Sequence, residues 1–339
     1  MKFDYVIGNP PYQEETDSKS SRMLPVYDKF MEEAYMCGKK VELITPARFL
    51  FNAGFTSKDW NRSRLNDEHF KVLFYESDSS RVFTNVDLKG GVAITYRDET
   101  TSFGAIGMFI PSAELTGIAN KAVKHNPAFI GLNTIICPRD LLHYSNQFFV
   151  DHPEYREMNN NNNVVNTNAF DKFPDVFLSQ AFARSIPVVG RSKNERVTRH
   201  IRADYLDLND FIDVYKLIIP EVNGSGKFGE AMAPSIFGDK GTAFTDTFIC
   251  IGKFSNKAEV SSVSKYIQTK FVRALLGILK KTQHNTADKW KYVPLQDFTS
   301  SSDINWNTSI ANIDKQLYKK YSLTPEEIAF IETHVKEME

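Results

Sequence analysis

Apolar and polar positions in the first hundred residues alternate between a strand-like and a helix-like period. Lys2–Gly8 reads as a short strand whose apolar run, Tyr5-Val6-Ile7, stops abruptly at Asn9-Pro10-Pro11-Tyr12. Between Arg22 and Cys37, Leu24, Tyr27, Phe30, Met31, Ala34 and Tyr35 recur at helical spacing. Lys40–Thr45 predicts a strand that Pro46 breaks. A short helix begins with "ARFLF" and ends at Asn52-Ala53-Gly54, and Asp59 is the expected cap of a helix through Trp60, Arg64 and Leu65. "FKVLFYE" and "GGVAITYRD" predict two more strands. This rhythm is that of a doubly wound α/β domain, expected over residues 1–99.

The character changes near Thr100. Short apolar runs separated by turns follow: "FGAIGMFI", "AFIGLNTIIC", "IPVVGR", "YKLIIPEV" and "TDTFICIGKF". They predict a mixed α+β domain over residues 100–255, with one helix from Pro111 to about Lys124 and a polar loop at the asparagine tract 159–163. From Val260 the pattern turns helical, and residues 256–339 form an expected helical C-terminal region, packed on or part of the preceding domain. "WKYVPLQDF" interrupts it as an extended segment. Ile310–Tyr321 and Pro325–Met338 read as helices, the second opened by a Thr324/Glu327 capping box. No internal repeat is evident.

Composition narrows the class. The chain has 339 residues, 42% hydrophobic and 24% charged, as in ordinary globular proteins. No apolar run approaches membrane-spanning length, and no apolar core follows the N-terminal lysine as in a signal peptide. Cys37, Cys137 and Cys250 lie far apart in sequence, which suggests free thiols in a reducing cytoplasm. The histidines show no ligand pairing, so no metal centre is expected.

The formal net charge of −1 says little about partners; its distribution says more. Arg184, Arg191, Lys193, Arg196, Arg199 and Arg202 face a single acid, Glu195, within one short stretch. Local basic density is the footprint of a polyanion, and Arg191, Lys193, Arg196 and Arg199 are candidate DNA contacts. Solvated surface is the alternative reading of such a run.

The opening stretch carries chemistry. In open α/β sheets, ligands bind beyond the carboxyl ends of strands. Pro10-Pro11 forces the chain out of the sheet in a stiff turn, fixing two acceptors: the Asn9 side-chain oxygen and the Pro10 carbonyl. Two converging acceptors suit an exocyclic amine, and Tyr12 offers a flat face for stacking. An amine-bearing base flipped out of a duplex is the natural ligand.

"FDYVIGNPPYQ" resembles the Asn-Pro-Pro-Tyr catalytic motif of adenine-specific amino DNA methyltransferases of type II restriction–modification systems. "KVELITPARFLF" is similar to the strand that follows that motif. "VFTNVDLKGGVAITYRD" resembles the later motif whose aromatic clamps the flipped adenine, with Phe83 at the matching position. The closing stretch, through "WKYVPLQDF" and "IDKQLYKKYSLTPEEIAFIE", is similar to the C-terminal end of the large type II methylases. The resemblance is thinnest at about residues 125–180.

The resemblance implies methyl transfer from S-adenosylmethionine to the adenine amine in double-stranded DNA. Asn9, Pro10, Pro11 and Tyr12 would form the catalytic site, with Tyr12 and Phe83 stacking on the base and no metal required. It also implies the C-terminal part of a doubly wound Rossmann-like sheet, then a target-recognition domain and C-terminal helices.

The family binds the methyl donor at a glycine-containing turn after its first strand, on the N-terminal side of the motif. Here eight residues precede Asn9, so that turn is not expected in this chain and the cofactor-binding residues stay unassigned. "NGSGKFGE", residues 223–230, reads as a flexible glycine-rich loop touching phosphate at most. Three explanations stay open: a partner polypeptide carries the donor-binding motifs, the chain is a truncated remnant, or it self-associates through the exposed strand edge and only binds DNA as a specificity subunit. A restriction endonuclease is a further expected partner.

Overall fold

The computed structural model describes residues 2–14, 24–84, 88, 90–124, 126–158 and 163–338. The chain forms two compact units, Met1–Ser112 and Ala113–Glu339. Arg22 and Met23 of the expected first helix, and residues 159–162 of the asparagine tract, lie outside the described residues.

The first unit holds strands β1 (Phe3–Gly8), β2 (Gly38–Pro46), β3 (Phe70–Glu76) and β4 (Val92–Asp98), with helices α1 (Tyr27–Cys37) and α2 (Lys58–Leu65). Helix α1 starts at Tyr27, later than its periodicity suggests, because Pro25 disfavours the helical conformation at Leu24. Its buried face is Tyr27, Met31 and Tyr35, while Phe30 stays exposed. Ser57, not Asp59, caps α2: its hydroxyl accepts the Trp60 N–H at 3.1 Å. Asp59 sits in the first turn, where its charge suits the helix dipole.

The sheet order is β1-β2-β4-β3. Strands β1 and β2 pair in parallel through the α1 crossover, while β4 lies antiparallel to both β2 and β3. It follows that β1, β2 and β3 run the same way and end at one edge of the sheet. Val41, Leu43 and Ala93 pack with the buried faces of both helices into one apolar cluster. Strand alternation turns Phe3, Tyr5 and Ile7 to the opposite face, where they are 69%, 64% and 76% exposed. Among the described residues the expected doubly wound sheet is therefore present only as one parallel crossover joined to an antiparallel pair, with helices on one face.

"FGAIGMFI" is not a strand. Gly104 and Gly107 take positive φ (80° and 63°) and turn the chain, so that Ile106 and Phe109 fold back onto the first cluster. Residues 100–112 thereby stay with the first unit, and the break falls later than the expected one near Thr100.

The second unit opens with α3 (Ala113–Ala119), which continues as a π turn over Asn120–Lys124. A four-stranded sheet follows the order β11-β10-β13-β5, from β5 (Ile136–Cys137), β10 (Tyr215–Pro220), β11 (Ile236–Gly238) and β13 (Phe248–Phe254). A three-stranded sheet, β12-β7-β8, joins β7 (Ser185–Ser192), β8 (Glu195–Arg202) and β12 (Ala243–Phe244). β6 (His143–Tyr144) and β9 (Leu206–Asp207) form a small pair, and short helices α4 (Asn146–Asp151), α5 (Tyr155–Met158) and α6 (Ala169–Lys172) surround an aromatic-rich cluster of Tyr144, Phe148, Phe170, Phe173 and Phe177. Cys137 and Cys250, remote in sequence, pair across β5 and β13 with sulfurs 2.8 Å apart.

Helices α7 (Lys257–Gln268), α8 (Lys270–Leu279), α9 (Ile310–Lys320) and α10 (Pro325–His334) belong to this same unit. Thr269 separates α7 from α8 and caps the latter, and the Thr324/Glu327 capping box opens α10 as its sequence predicts. No helix among the described residues is long and apolar enough to cross a membrane.

The glycine-rich loop 223–230 is not an open phosphate cradle. The Glu230 carboxylate accepts the N–H groups of Ser225 (2.7 Å) and Gly226 (3.0 Å) and pairs with the buried Lys280 ammonium at 2.5 Å. Burial works to raise the Glu230 pKa, but Lys280 and the two N–H groups hold it below the ordinary range. Gly226 is required there: it has φ +88°, and a Cβ would lie 2.3 Å from the Thr282 nitrogen.

Candidate functional site

In the first unit, Asn9-Pro10-Pro11-Tyr12 emerges from the carboxyl end of β1, as proline's missing N–H dictates. Asn9 and Pro11 are exposed, and Pro10 and Tyr12 are half-buried. Among the described residues the Asn9 side chain makes no hydrogen bond, so its oxygen stays available. Beyond the motif the chain is pinned: Val26 N–H donates to the Tyr12 carbonyl (3.3 Å), Gln13 bridges Pro25, and Glu14 N–H donates to the Leu24 carbonyl (3.0 Å). Among the described residues the buried Tyr12 hydroxyl has no hydrogen-bond partner, and burial raises its pKa. The ring is therefore held from behind and only partly open to a ligand.

Phe83 follows a short 3₁₀ turn, Ser79–Arg81, after β3. Its N–H donates to the Ser79 carbonyl at 2.8 Å, and Asp78 caps the turn through Ser80 N–H (3.1 Å). Because β1 and β3 run in the same direction, Asn9–Tyr12 and Phe83 leave the sheet at the same edge. Three strand spacings, roughly 14 Å, separate β1 from β3. The Tyr12 and Phe83 rings do not touch. At the same edge, Pro46 ends β2 and Ala47 N–H donates to the Gly91 carbonyl at 2.9 Å, which ties the β2 end to the start of β4.

In the second unit, the basic run falls on the β7–β8 hairpin. Lys193 and Asn194 occupy its two-residue turn with φ of 49° and 65°, the left-handed pair that suits hairpin twist. Strand pairing puts Arg191 opposite Arg196. Arg199 pairs with Val188 and shares the face of Val197 and Ile201, which pack on the aromatic cluster. The four candidate DNA contacts therefore do not form one surface: a spacing of three puts Arg196 and Arg199 on opposite faces of a strand of period two. Arg196 is also committed locally, donating to the Pro234 carbonyl (2.8 Å) and lying over the Phe248 ring. Burial and the nearby Arg191 lower its pKa.

Arg191 and Lys193 instead line a cleft of about 480 Å³ with Arg139, Glu221, Asp246 and His284. Arg139 lies 3.9 Å from both Glu221 and Asp246, ion-pair contacts too long to be hydrogen bonds. Glu221 meets His284 Nδ1 at 2.9 Å. A hydroxyl relay holds Asp246: Thr247 donates to Thr167 (3.0 Å), which donates to Asp246 (2.8 Å). Sequence reading missed Arg139, Glu221, Asp246 and His284. They come from separate segments with no local pattern, and the only signal was the neighbouring basic hairpin.

Residues 1–83 match the Eco57I restriction-modification methylase family, about a quarter of the chain. No curated protein matches. Among solved structures, the chain is similar to the type IIG restriction endonuclease BpuSI at 10% identity and a TM-score of 0.35, over 92% of this chain and 48% of that one. It is similar to the type IIL restriction-modification enzyme MmeI, solved in complex with DNA, at 12% identity and a TM-score of 0.37, over 97% of this chain and 56% of that one. The chain thus spans about half the length of these solved proteins.

Proposed function

We propose that this chain carries the catalytic motif and the target-recognition part of a site-specific adenine DNA methyltransferase of a restriction–modification system. The observation that carries the reading is Asn9-Pro10-Pro11-Tyr12 at the carboxyl end of β1, inside the segment that matches the restriction-modification methylase family. The reaction is methyl transfer from S-adenosylmethionine to the exocyclic amine of a flipped adenine.

The residues of this chain act on the base. The Asn9 side-chain oxygen and the Pro10 carbonyl accept the two amine hydrogens, which favours a pyramidal nitrogen with an available lone pair. Tyr12 stacks on the flipped base, and Phe83 reaches it from the loop after β3. Holding the amine in one orientation supplies much of the acceleration. In the second unit, Lys193, at the turn of the β7–β8 hairpin, takes a phosphate of the duplex.

The glycine loop 223–230 and the turn at Gly91 do not fit the methyl donor. The amides of Ser225 and Gly226 are spent on Glu230. Gly91 is pressed against its own chain, with a Cβ position 2.1 Å from the Glu76 carbonyl. We assign donor binding to a segment outside the described residues, one that pairs with β1. That strand is an edge of its sheet and exposes Phe3, Tyr5 and Ile7, an aggregation-prone combination when left unpaired. The same lack of fit favours a second reading, a DNA-specificity subunit without catalysis of its own.

The test is expression of the chain, with its neighbouring reading frames, in a methylation-deficient bacterial host. The genome is then mapped for N6-methyladenine. Methylation at one sequence motif that disappears with Asn9→Ala is the expected result. An unmethylated genome overturns the enzyme reading, and sequence-selective DNA binding in that case identifies the specificity subunit.

A further inference from the structure

The cleft beside the β7–β8 hairpin has a charge balance that a phosphate site would not have. Its cations Arg139, Arg191 and Lys193 are matched by the carboxylates of Asp171, Glu221 and Asp246. A bare phosphate would meet as much repulsion as attraction there. A ligand edge that offers both acceptors and donors would not.

The groups differ in how far they are already committed. Arg191 donates to the Asn194 carbonyl at 2.9 Å, which closes the hairpin tip. Glu221 is almost fully buried, its side chain 4% exposed, and meets His284. Arg139 is different. Its guanidinium is half-exposed and is steered by a carboxylate on either side at 3.9 Å, yet it donates no hydrogen bond among the described residues. Its five N–H groups are oriented and unspent. Asp246 stands beside it, fixed from behind by the Thr167 hydroxyl, with its second oxygen facing Arg139. An oriented guanidinium next to an oriented carboxylate complements two adjacent acceptors followed by a donor amine.

We infer that this cleft reads one G·C base pair of the DNA target through the major groove, Arg139 donating to guanine O6 and N7 and Asp246 accepting from the cytosine amine. In the major groove a G·C pair presents N7, O6 and the N4 amine in that order, and guanidinium-to-guanine is the commonest specific pairing. The hairpin geometry suits that approach. Among the described residues β12 pairs with β7 only at Val188 and Val189, so from Gly190 onward β7 and β8 continue as a two-stranded ribbon, an element the major groove admits. Lys193 at its turn would meet the flanking phosphate. The inference deepens the DNA-recognition part of the proposed function and rests on it.

The test is selection of duplexes from a randomised pool by the full chain at one fixed salt concentration, followed by affinity measurements on single-base-pair variants of the selected site. Arg139→Lys keeps a cation between Glu221 and Asp246 but loses the bidentate fork. It should lose roughly 5- to 150-fold of discrimination at a single G·C position and keep the other positions. Lys193→Ala should weaken all sequences alike and lower the salt slope by about one. Wild-type discrimination retained in Arg139→Lys overturns the inference alone. So does a uniform loss across all positions in an Arg139→Lys protein that melts like the wild type. If the wild-type chain selects no sequence at all, the DNA-recognition reading itself falls.

Discussion

Asn9 is the residue on which the catalytic reading turns, and its surroundings make the test clean. It is exposed and makes no hydrogen bond among the described residues, so Asn9→Ala should change stability by less than about 0.5 kcal/mol. Methylation in the methylation-deficient host should nonetheless fall by two to three orders of magnitude, about 3–4 kcal/mol, the usual loss for a preorganised polar contact. Parallel melting curves and methylation rates separate the two effects, and full activity in the variant would make the motif a mere turn. Tyr12→Phe removes a buried hydroxyl that has no partner among the described residues. Such a group costs about 1–3 kcal/mol, so the variant should melt higher than the wild type while keeping the stacking ring. The motif was legible in sequence because its four residues are contiguous and the prolines dictate their own geometry. Arg139, Glu221, Asp246 and His284 were not, because tertiary pairing alone gathers them.

Among the elements, contiguous local patterns decided what could be read. Short apolar runs bounded by turns identified β2, β4, β7, β10 and β13, and the capping box identified α10. The basic run could be counted in sequence, but its division between two faces of β8 emerges only once the strand is placed. The α7–α8–α9 arrangement holds a device no local pattern announces. Asp314, on α9, accepts the N–H groups of Lys270 (3.0 Å) and Phe271 (2.9 Å), the first residues of α8. Burial pushes its pKa up to about 6, against the lowering effect of those two N–H groups. A carboxyl whose folded pKa exceeds its unfolded one binds its proton more tightly when folded, so stability falls as pH rises from about 4 to about 6. Relative to Asp314→Asn, which does not titrate, the wild type should lose on the order of 2–3 kcal/mol between pH 4 and pH 7. Denaturant melts of both proteins at the two pH values read this directly, and a constant difference would reject it.

At the scale of the whole molecule, each unit has its own apolar core. A fragment of residues 113–339 should therefore unfold cooperatively in urea by itself; a non-cooperative melt would show that it depends on the first unit. The first unit carries the exposed apolar residues of β1, and Ile7→Lys should reduce self-association in sedimentation experiments. The parallel β1–β2 crossover followed from the strand–helix–strand rhythm. The insertion of β4 between β2 and β3 did not, because antiparallel pairing between strands remote in sequence leaves no periodic trace. The boundary at Ser112 was hidden for a related reason: Ile106 and Phe109 look strand-forming in sequence but serve the first core after two glycine turns.

Glu230 behaves as a tethered ligand, which makes the loop open to chemical rescue. Replacing it by alanine leaves the Ser225 and Gly226 amides without an acceptor and the buried Lys280 ammonium without a counter-charge, a change that commonly costs about 3–5 kcal/mol. Formate, a carboxylate without a tether, should restore part of the lost melting temperature of Glu230→Ala in a saturable, concentration-dependent way, while the same salt leaves the wild type unmoved. An equal response of both proteins to formate would mean that the anion acts on the solvent and that the loop holds no separable carboxylate site.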